Sequence, residues 1–358
     1  MTRVVLTGGG TGGHIYPLLA VAAAARDWQV SFVGSPEGLE AQIVPRSGIP
    51  FHAVASGGVR GKSLPVRIRS LYRSGRGLLA ALALLGRLKP DVVLSSGGYA
   101  ALPVTLAARL RRIPLALIEP NATPGLANRV AMRYAARVLV AYDAAREQLP
   151  ASLRGRAVVT GVPVRPRREI SRLAAREQLK VPQEAVLIAV TGGSQGARAL
   201  NEAVCGLGGL LGEGEQVLIA TGQREHERWA PFATEQLRIE PYFWDMDAVL
   251  AASDVFVGRA GAMTCAEVLA AGLPALLVPL PNPAVHQDDN ARVLAAAGAA
   301  VVLDERDLSP ADLWRELLPI VRDSARRQAM ATAALRLARP DAARVAAREV
   351  SRLAGRLG

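Results

Sequence analysis

The feature that most constrains this chain is a glycine-dense turn set directly behind its first apolar run. Val4-Val5-Leu6-Thr7 passes without a spacer into Gly8-Gly9-Gly10-Thr11-Gly12-Gly13-His14, and a helix-forming stretch follows. A β-branched run, a tight turn and then a helix is the opening of a parallel βα unit. The alternation continues along the chain. Strands are predicted at 4–7, 30–34, 51–55, 92–96, 115–119 and 138–141, with helices between them, for example at 16–26 and 100–111. A second series of strands is predicted at 186–191, 216–220, 255–258, 275–279 and 300–303. Each series suffices for a doubly wound sheet. The expected fold class is therefore α/β, with two Rossmann-like domains facing a central cleft. The domains are expected at 1–160 and 161–340, joined through 155–168 with its Pro163 and Pro166. A last helix at 341–358 could cap either of them.

Composition bounds what such a chain can do. It has 358 residues, enough for two domains at about 150 residues each. Half of the residues are hydrophobic, which excludes a disordered tail. The longest aliphatic run, at 77–86, falls short of the about 18 to 20 residues that span a bilayer. No charged-then-apolar leader precedes the first strand, so no signal peptide is expected. Cys205 and Cys265 are too few for a disulfide framework and lack zinc spacing, and a reducing cytoplasm is the expected setting.

Forty-three basic residues stand against 31 acidic ones, a formal net charge of +12, and the distribution says more than the total. Residues 41–90 contain nine Arg or Lys and no Asp or Glu. An acid-free block of that length implies an anionic partner: nucleic acid, phospholipid or a polyphosphate. Nucleic acid is disfavoured because Phe51 and Tyr72 are too few to interleave the bases with a stacking surface.

Two further glycine loops, Gly192-Gly193-Ser194-Gln195-Gly196-Ala197 and Gly258-Arg259-Ala260-Gly261-Ala262, stand behind strands of the second series. Glycine allows positive φ and close backbone approach, and a following helix offers unpaired N–H groups to an anion. Gly8, Gly10 and Gly13 also satisfy the G-x-G-x-x-G dinucleotide pattern, yet the acid expected at the end of the second strand is missing, with Glu37 a late substitute. Three such loops favour a nucleotide-diphosphate ligand. Glu267, one turn into the helix after the third loop, could accept both ribose hydroxyls, or be a solvated helix acid. His14, one of four histidines, stands where it could act as a general base or an anion donor. His286, in a polar loop after a strand, is a further possible ligand contact.

These loops, in this order, together with Gly97-Gly98-Tyr99, Asn121 and Pro124-Gly125-Leu126, resemble the MurG family of peptidoglycan glycosyltransferases, of the GT-B class. The segment ending Ala270-Ala271-Gly272-Leu273-Pro274-Ala275 matches as well, and the resemblance covers nearly the whole chain. It implies inverting transfer of N-acetylglucosamine (GlcNAc) from UDP-GlcNAc to the C4 hydroxyl of the muramoyl sugar of lipid I, giving lipid II, at the cytoplasmic face of the membrane. By position, Thr11, Gly12, Gly13, Asn121, Arg165, Ser194, Phe243, Ala262, Met263, Thr264, Cys265, Ala266, Glu267 and Gln287 would contact the nucleotide sugar. His14, Tyr99 and Glu119 would line the reacting centre. Three departures stand out: Ile118-Glu119-Pro120-Asn121 where the family commonly has His-Glu-Gln-Asn, Val162 for an asparagine, and Ala266 for a serine. They leave His14 as the imidazole nearest the reacting centre.

No convincing D-x-D metal motif is present. Asp245-Met246-Asp247 reads as a helix start and Asp304-Glu305-Arg306-Asp307 as a surface loop, so transfer without metal or other cofactor is expected. Other readings keep the same loops: a different GT-B enzyme such as a diacylglycerol glycosyltransferase, a UDP-GlcNAc 2-epimerase, or a non-enzymatic nucleotide-sugar binder. Within the basic block, Leu64, Ile68, Leu71, Tyr72, Leu78, Leu79, Leu82 and Leu85 fall near helical spacing. Arg67, Arg69, Arg73 and Arg76 lie among them, and they are expected to meet an anionic inner membrane leaflet. The alternative is a crossover helix packed on the first sheet. Oligomeric state is not legible.

Overall fold

The computed structural model describes residues 1–57, 73–193 and 195–355, and the helical backbone alone for 64–72. The chain divides into two compact units, one formed by 1–166 with 339–358 and the other by 167–338.

The first unit holds a seven-stranded sheet: β1 (Thr2–Gly8), β2 (Trp28–Gly34), β3 (Phe51–Ala53), β4 (Val92–Gly97), β5 (Leu115–Glu119), β6 (Arg137–Val140) and β7 (Ala157–Val159). All neighbours are parallel, in the order β3-β2-β1-β4-β5-β6-β7. β4 and β5 are buried from end to end, as expected where helices cover both faces of a parallel sheet. The segment read as a plain connection supplies the three-residue edge strand β7. The final helix, Ala342–Ala354, packs on the helix Gly12–Ala24. Ala346, Val350 and Leu353 enter the core beside Leu18 and Val21, and Trp28 Nε1 donates to Ser351 Oγ at 3.0 Å. That contact settles which unit the last helix caps.

The second unit holds β8 (Val186–Thr191), β9 (Glu215–Ala220), β10 (Leu237–Glu240), β11 (Val255–Gly258), β12 (Ala275–Leu277) and β13 (Ala300–Val302). They are again parallel, in the order β10-β9-β8-β11-β12-β13. β10, a four-residue edge strand, is the other strand that the apolar pattern does not reveal. In each unit the chain reverses its winding beside the first strand, and the loops behind the strands' C-terminal ends gather there.

Candidate functional site

In the first unit β1 lies between β2 and β4, so its glycine loop touches the loops behind both. A Cβ on Gly98 would collide with the Gly9 carbonyl, and one on Gly8 with Ser96 Oγ. The helix that follows begins at Gly12, four residues before the predicted start, so Gly12, Gly13 and His14 form its first turn. The His14 Nδ1 lies 2.8 Å from the Ser96 carbonyl oxygen. A carbonyl only accepts, so Nδ1 carries the proton and Nε2 of the neutral ring keeps its lone pair. Burial pushes the imidazole below its usual range, and the Ser96 bond and the charge of Glu40 pull it partway back. The ring is therefore a neutral base at neutral pH.

Glu119, at the end of β5, is wholly buried, and its oxygens are fully used. Oε1 accepts from Asn121 N (3.0 Å) and Asn121 Nδ2 (3.2 Å). Oε2 accepts from Gly125 N (3.1 Å) and Asn128 Nδ2 (2.9 Å). Burial pushes this carboxyl up on balance, against the pull of the four donors, each of which suits its ionised form. Four bonds fill the lone-pair sites of a carboxylate, so Glu119 has none left for a substrate proton. Its four bonds hold the 121–125 loop and the start of the helix Leu126–Met132, a positioning arrangement rather than that of a free base. Asn128 Nδ2 also reaches the carbonyls of Ile118 (3.1 Å) and Ser96 (3.5 Å), linking that loop to the acceptor of the His14 bond. Ile118 itself is a core side chain, which explains why an apolar residue is tolerated there.

Sequence reasoning missed Glu40. It sought the acid behind β2 at Glu37, which is exposed and pairs instead with Arg73 at 2.5 Å. The buried carboxylate is three residues further on and accepts from Gly10 N (3.2 Å) and Ser35 N (3.0 Å). The available signal was Gly34, Gly38 and Gly9, three glycines that leave it room.

In the second unit Gly193 takes φ +88° and Gly196 φ +76°. A Cβ on Gly196 would strike the Thr221 carbonyl, so the loops behind β8 and β9 meet backbone on backbone. Buried Asn201 fixes the second of them through Nδ2 to Thr221 O at 2.9 Å. Behind β11, the helix Ala262–Ala271 starts from Gly261, which has no side chain to cap it. Its first bonded amide in that turn is Cys265 N, to Gly261 O, which leaves the N–H groups of Ala262, Met263 and Thr264 without helical acceptors. Buried Arg259 ties the neighbouring loop, Nη1 donating to Val278 O (3.0 Å) and Pro279 O (3.2 Å) and Nη2 pairing with Glu305. Glu267 is half-buried on the same helix. Gln287 Oε1 accepts from Leu280 N at 2.9 Å, closing the loop before its own helix.

Two of the expected contact residues are buried. Cys265 is wholly buried, with its thiol pushed up to about 12 by burial, and its N–H is given to the Gly261 carbonyl. The Phe243 ring is also buried, while Trp244 beside it is 80% exposed and meets Tyr242 edge-on at 5.1 Å. Asp245 and Asp247 serve the helix Met246–Ala252: Asp245 caps it through Ala248 N at 3.2 Å and pairs with Arg168 at 2.5 Å, and Asp247 accepts from Arg168 N at 3.3 Å. Thr11 and Arg165 are exposed, and Tyr99 is 38% exposed on the turn behind β4. Ser194 and the side chains of Arg67 and Arg69 lie outside the described residues.

Comparison with known proteins places both units. Residues 4–140 match the glycosyltransferase family 28 N-terminal domain, and 187–346 match its C-terminal domain. A UDP-N-acetylglucosamine--N-acetylmuramyl-(pentapeptide) pyrophosphoryl-undecaprenol N-acetylglucosamine transferase of Desulforudis audaxviator is 39% identical, covering 99% of each chain. A protein of the same name from Salinibacter ruber is 42% identical over 99% of this chain and 97% of its own. The crystal structure of Acinetobacter baumannii MurG superposes with a TM-score of 0.81 at 29% identity, covering 98% of this chain and all of the other. A UDP-GlcNAc 2-epimerase of Neisseria meningitidis, at 13% identity and TM-score 0.65, shares the fold alone. On its two domains and its end-to-end relatives, this chain belongs to glycosyltransferase family 28, among the MurG transferases.

Proposed function

We propose that this protein transfers GlcNAc from UDP-GlcNAc to the C4 hydroxyl of MurNAc in lipid I, forming lipid II with inversion at the anomeric carbon. The end-to-end match to transferases of that name carries the reading. The geometry of each unit supplies matching chemistry. His14, neutral and fixed at Nδ1, offers Nε2 to take the proton of the attacking hydroxyl, and such a base contributes about 10²- to 10⁴-fold. Tyr99 and Asn121, on the neighbouring loops, line the acceptor side. In the second unit the uncapped helix start at Ala262 to Thr264 receives the diphosphate whose charge grows as UDP leaves. Glu267 takes the ribose hydroxyls.

An acceptor on a lipid calls for contact with a lipid surface, here the anionic inner leaflet. No described helix is long and apolar enough to cross a membrane. Support for a peripheral contact lies on the helix Leu64–Leu88, where Leu79 is 68% exposed and Arg76 exposed, while Leu84 and Leu85 pack inward. Leu106 and Leu110, on the helix packed beside it, are exposed too. Arg73 contributes less than its sequence position suggests, because Glu37 pairs with it.

The test is transfer of labelled GlcNAc from UDP-GlcNAc to a soluble lipid I analogue, with diacylglycerol as competing acceptor. A β-linked disaccharide on the lipid I analogue is expected. Sugar on diacylglycerol, or epimerised UDP-GlcNAc without transfer, would overturn the reading.

A further inference from the structure

Glu40 opens the helix Glu40–Arg46 behind β2, with no exposure to solvent. An acid withdrawn from water is costly unless hydrogen bonds replace its hydration. Here two backbone amides do so, from two different loops: Gly10 N at 3.2 Å and Ser35 N at 3.0 Å. A Cβ at Gly9, Gly34 or Gly38 would collide with the Glu40 side chain, so three positions stay bare to admit it. A leucine would fill the same space without the desolvation cost. What the acid adds is an acceptor for two amides, and a negative charge.

We propose that Glu40 is a positioning residue of the transfer reaction: its carboxylate fills the anion seat at Gly10 and holds the first glycine loop, and with it His14, in the working geometry. The chain of contacts is short. Gly10, at φ +89°, gives its N–H to Glu40; Thr11 starts the helix; and His14 N bonds to Thr11 O at 3.1 Å. The His14 ring is then fixed by the Ser96 carbonyl on the far side of the loop. Slackening at Gly10 would therefore move the backbone of His14 against a ring anchored elsewhere. The charge has a second effect, because among the described residues Glu40 is the ionisable group whose field reaches the ring. Besides it, burial and the Ser96 carbonyl set the basicity of His14.

The proposal rests on the transferase reading, and its test keeps the two apart. Steady-state transfer from UDP-GlcNAc to a soluble lipid I analogue is measured across pH with the full chain, as parent, Glu40→Gln and Glu40→Asp. No transfer by the parent sinks the transferase reading itself. With the parent active, Glu40→Gln should lower kcat at least about tenfold, because small displacements of a catalytic group are costly. The donor KM should stay within about twofold, since the proposed diphosphate and ribose contacts belong to the second unit. The acid limb of kcat/KM should move to lower pH, because removing a negative charge makes His14 harder to protonate. Glu40→Asp keeps the charge but is one methylene short, so its limb should stay with the parent while its kcat stays low. Parent-like kcat in Glu40→Gln, or a uniformly lowered profile with an unmoved limb, overturns the proposal. Should Glu40→Gln prove unfolded by circular dichroism, Glu40→Asp decides alone: parent-like kcat there overturns the proposal.

Discussion

The first βα turns of the two units share one backbone feature and differ in electrostatic contents. Each runs from a buried strand through threonine into consecutive glycines, three in the first unit and two in the second, and each has one glycine turned to almost the same φ, +89° at Gly10 and +88° at Gly193. Each is also pressed against a neighbouring loop by a glycine that admits no Cβ. In the first unit, however, the amide of Gly10 is occupied by a carboxylate of the chain itself. The desolvated imidazole of His14 stands in the helix turn that follows, and a second buried carboxylate, Glu119, ends β5, two strands away. In the second unit the Gly193 amide bonds to the Thr191 hydroxyl, and the adjoining loop is held by the neutral amide of Asn201. Among the described residues no carboxylate bonds to that loop. The uncapped helix start is common to both units: Thr11 makes no side-chain cap bond in the first, and Gly261 has no side chain in the second. A glycine turn thus specifies backbone shape only. Whether it serves proton transfer or anion binding is decided by what the rest of the fold brings to it.

The sharpest way to break this contrast is at His14. His14→Gln should cut kcat by about 10²- to 10⁴-fold while UDP affinity, measured by calorimetry, stays with the parent. Equal loss of both would mean that the first unit binds the donor as well. Glu119→Gln comes next. An amide offers one oxygen and one NH₂, so two of the four N–H donors now on the carboxylate lose their acceptor. At about 1 to 3 kcal/mol for each stranded group, about 2 to 6 kcal/mol of folding stability should go, read from urea unfolding. Activity per folded molecule should fall far less than in His14→Gln; an equal fall would return Glu119 to the chemistry.

On the other side of the comparison, Glu267→Ala should weaken UDP-GlcNAc binding by about 1.5 to 3 kcal/mol for each charge-assisted bond lost, with the pH profile unmoved. Unchanged donor affinity would remove Glu267 from the site. The smallest effect expected is on stability against pH. The folded-state value of His14 is depressed, so the contribution of the neutral ring is complete above the usual imidazole value of about 6.5. It is lost as pH falls from there toward the depressed value, because the unfolded chain takes the proton first. Urea midpoints of His14→Gln should therefore fall less than those of the parent between about pH 7 and about pH 5. Parallel decline in the two would show that the ring is not desolvated in solution.

Much of this arrangement is legible in the sequence, and the parts that are not share a cause. The buried strands β1, β4, β5 and β8 stand out as aliphatic runs, because both faces of a parallel sheet are covered. β7 and β10 are edge strands, the first inside a segment whose Pro163 and Pro166 mark a linker and the second broken by the charged Arg238 and Glu240. His14 is legible because the glycine loop beside it marks its place. Glu40 is not, since it meets Gly10 across 30 residues and its only trace is the spacing of glycines. Nor could sequence tell that Glu119 spends both oxygens on its own loop, or that Glu37 would neutralise Arg73 within a block that looks acid-free. Local pattern shows strands and turns. Which acid reaches which turn is a property of the sheet order.

Because Gly10 and Gly193 are matched in φ, and because a Cβ added at either meets nothing within 4 Å, they allow the most direct test of the division between the units. Alanine at each imposes a similar backbone strain, about 1 to 2 kcal/mol, so any difference in ligand binding reports the ligand. UDP binding to full-length Gly10→Ala and Gly193→Ala is measured by calorimetry, with thermal unfolding to verify that the strain is equal. Gly193→Ala should weaken UDP at least about tenfold, because a methyl group then stands where the backbone must approach the diphosphate. Gly10→Ala should leave UDP affinity within about twofold of the parent, because Glu40 already holds that seat. Loss of UDP binding in Gly10→Ala equal to that in Gly193→Ala would contradict the account.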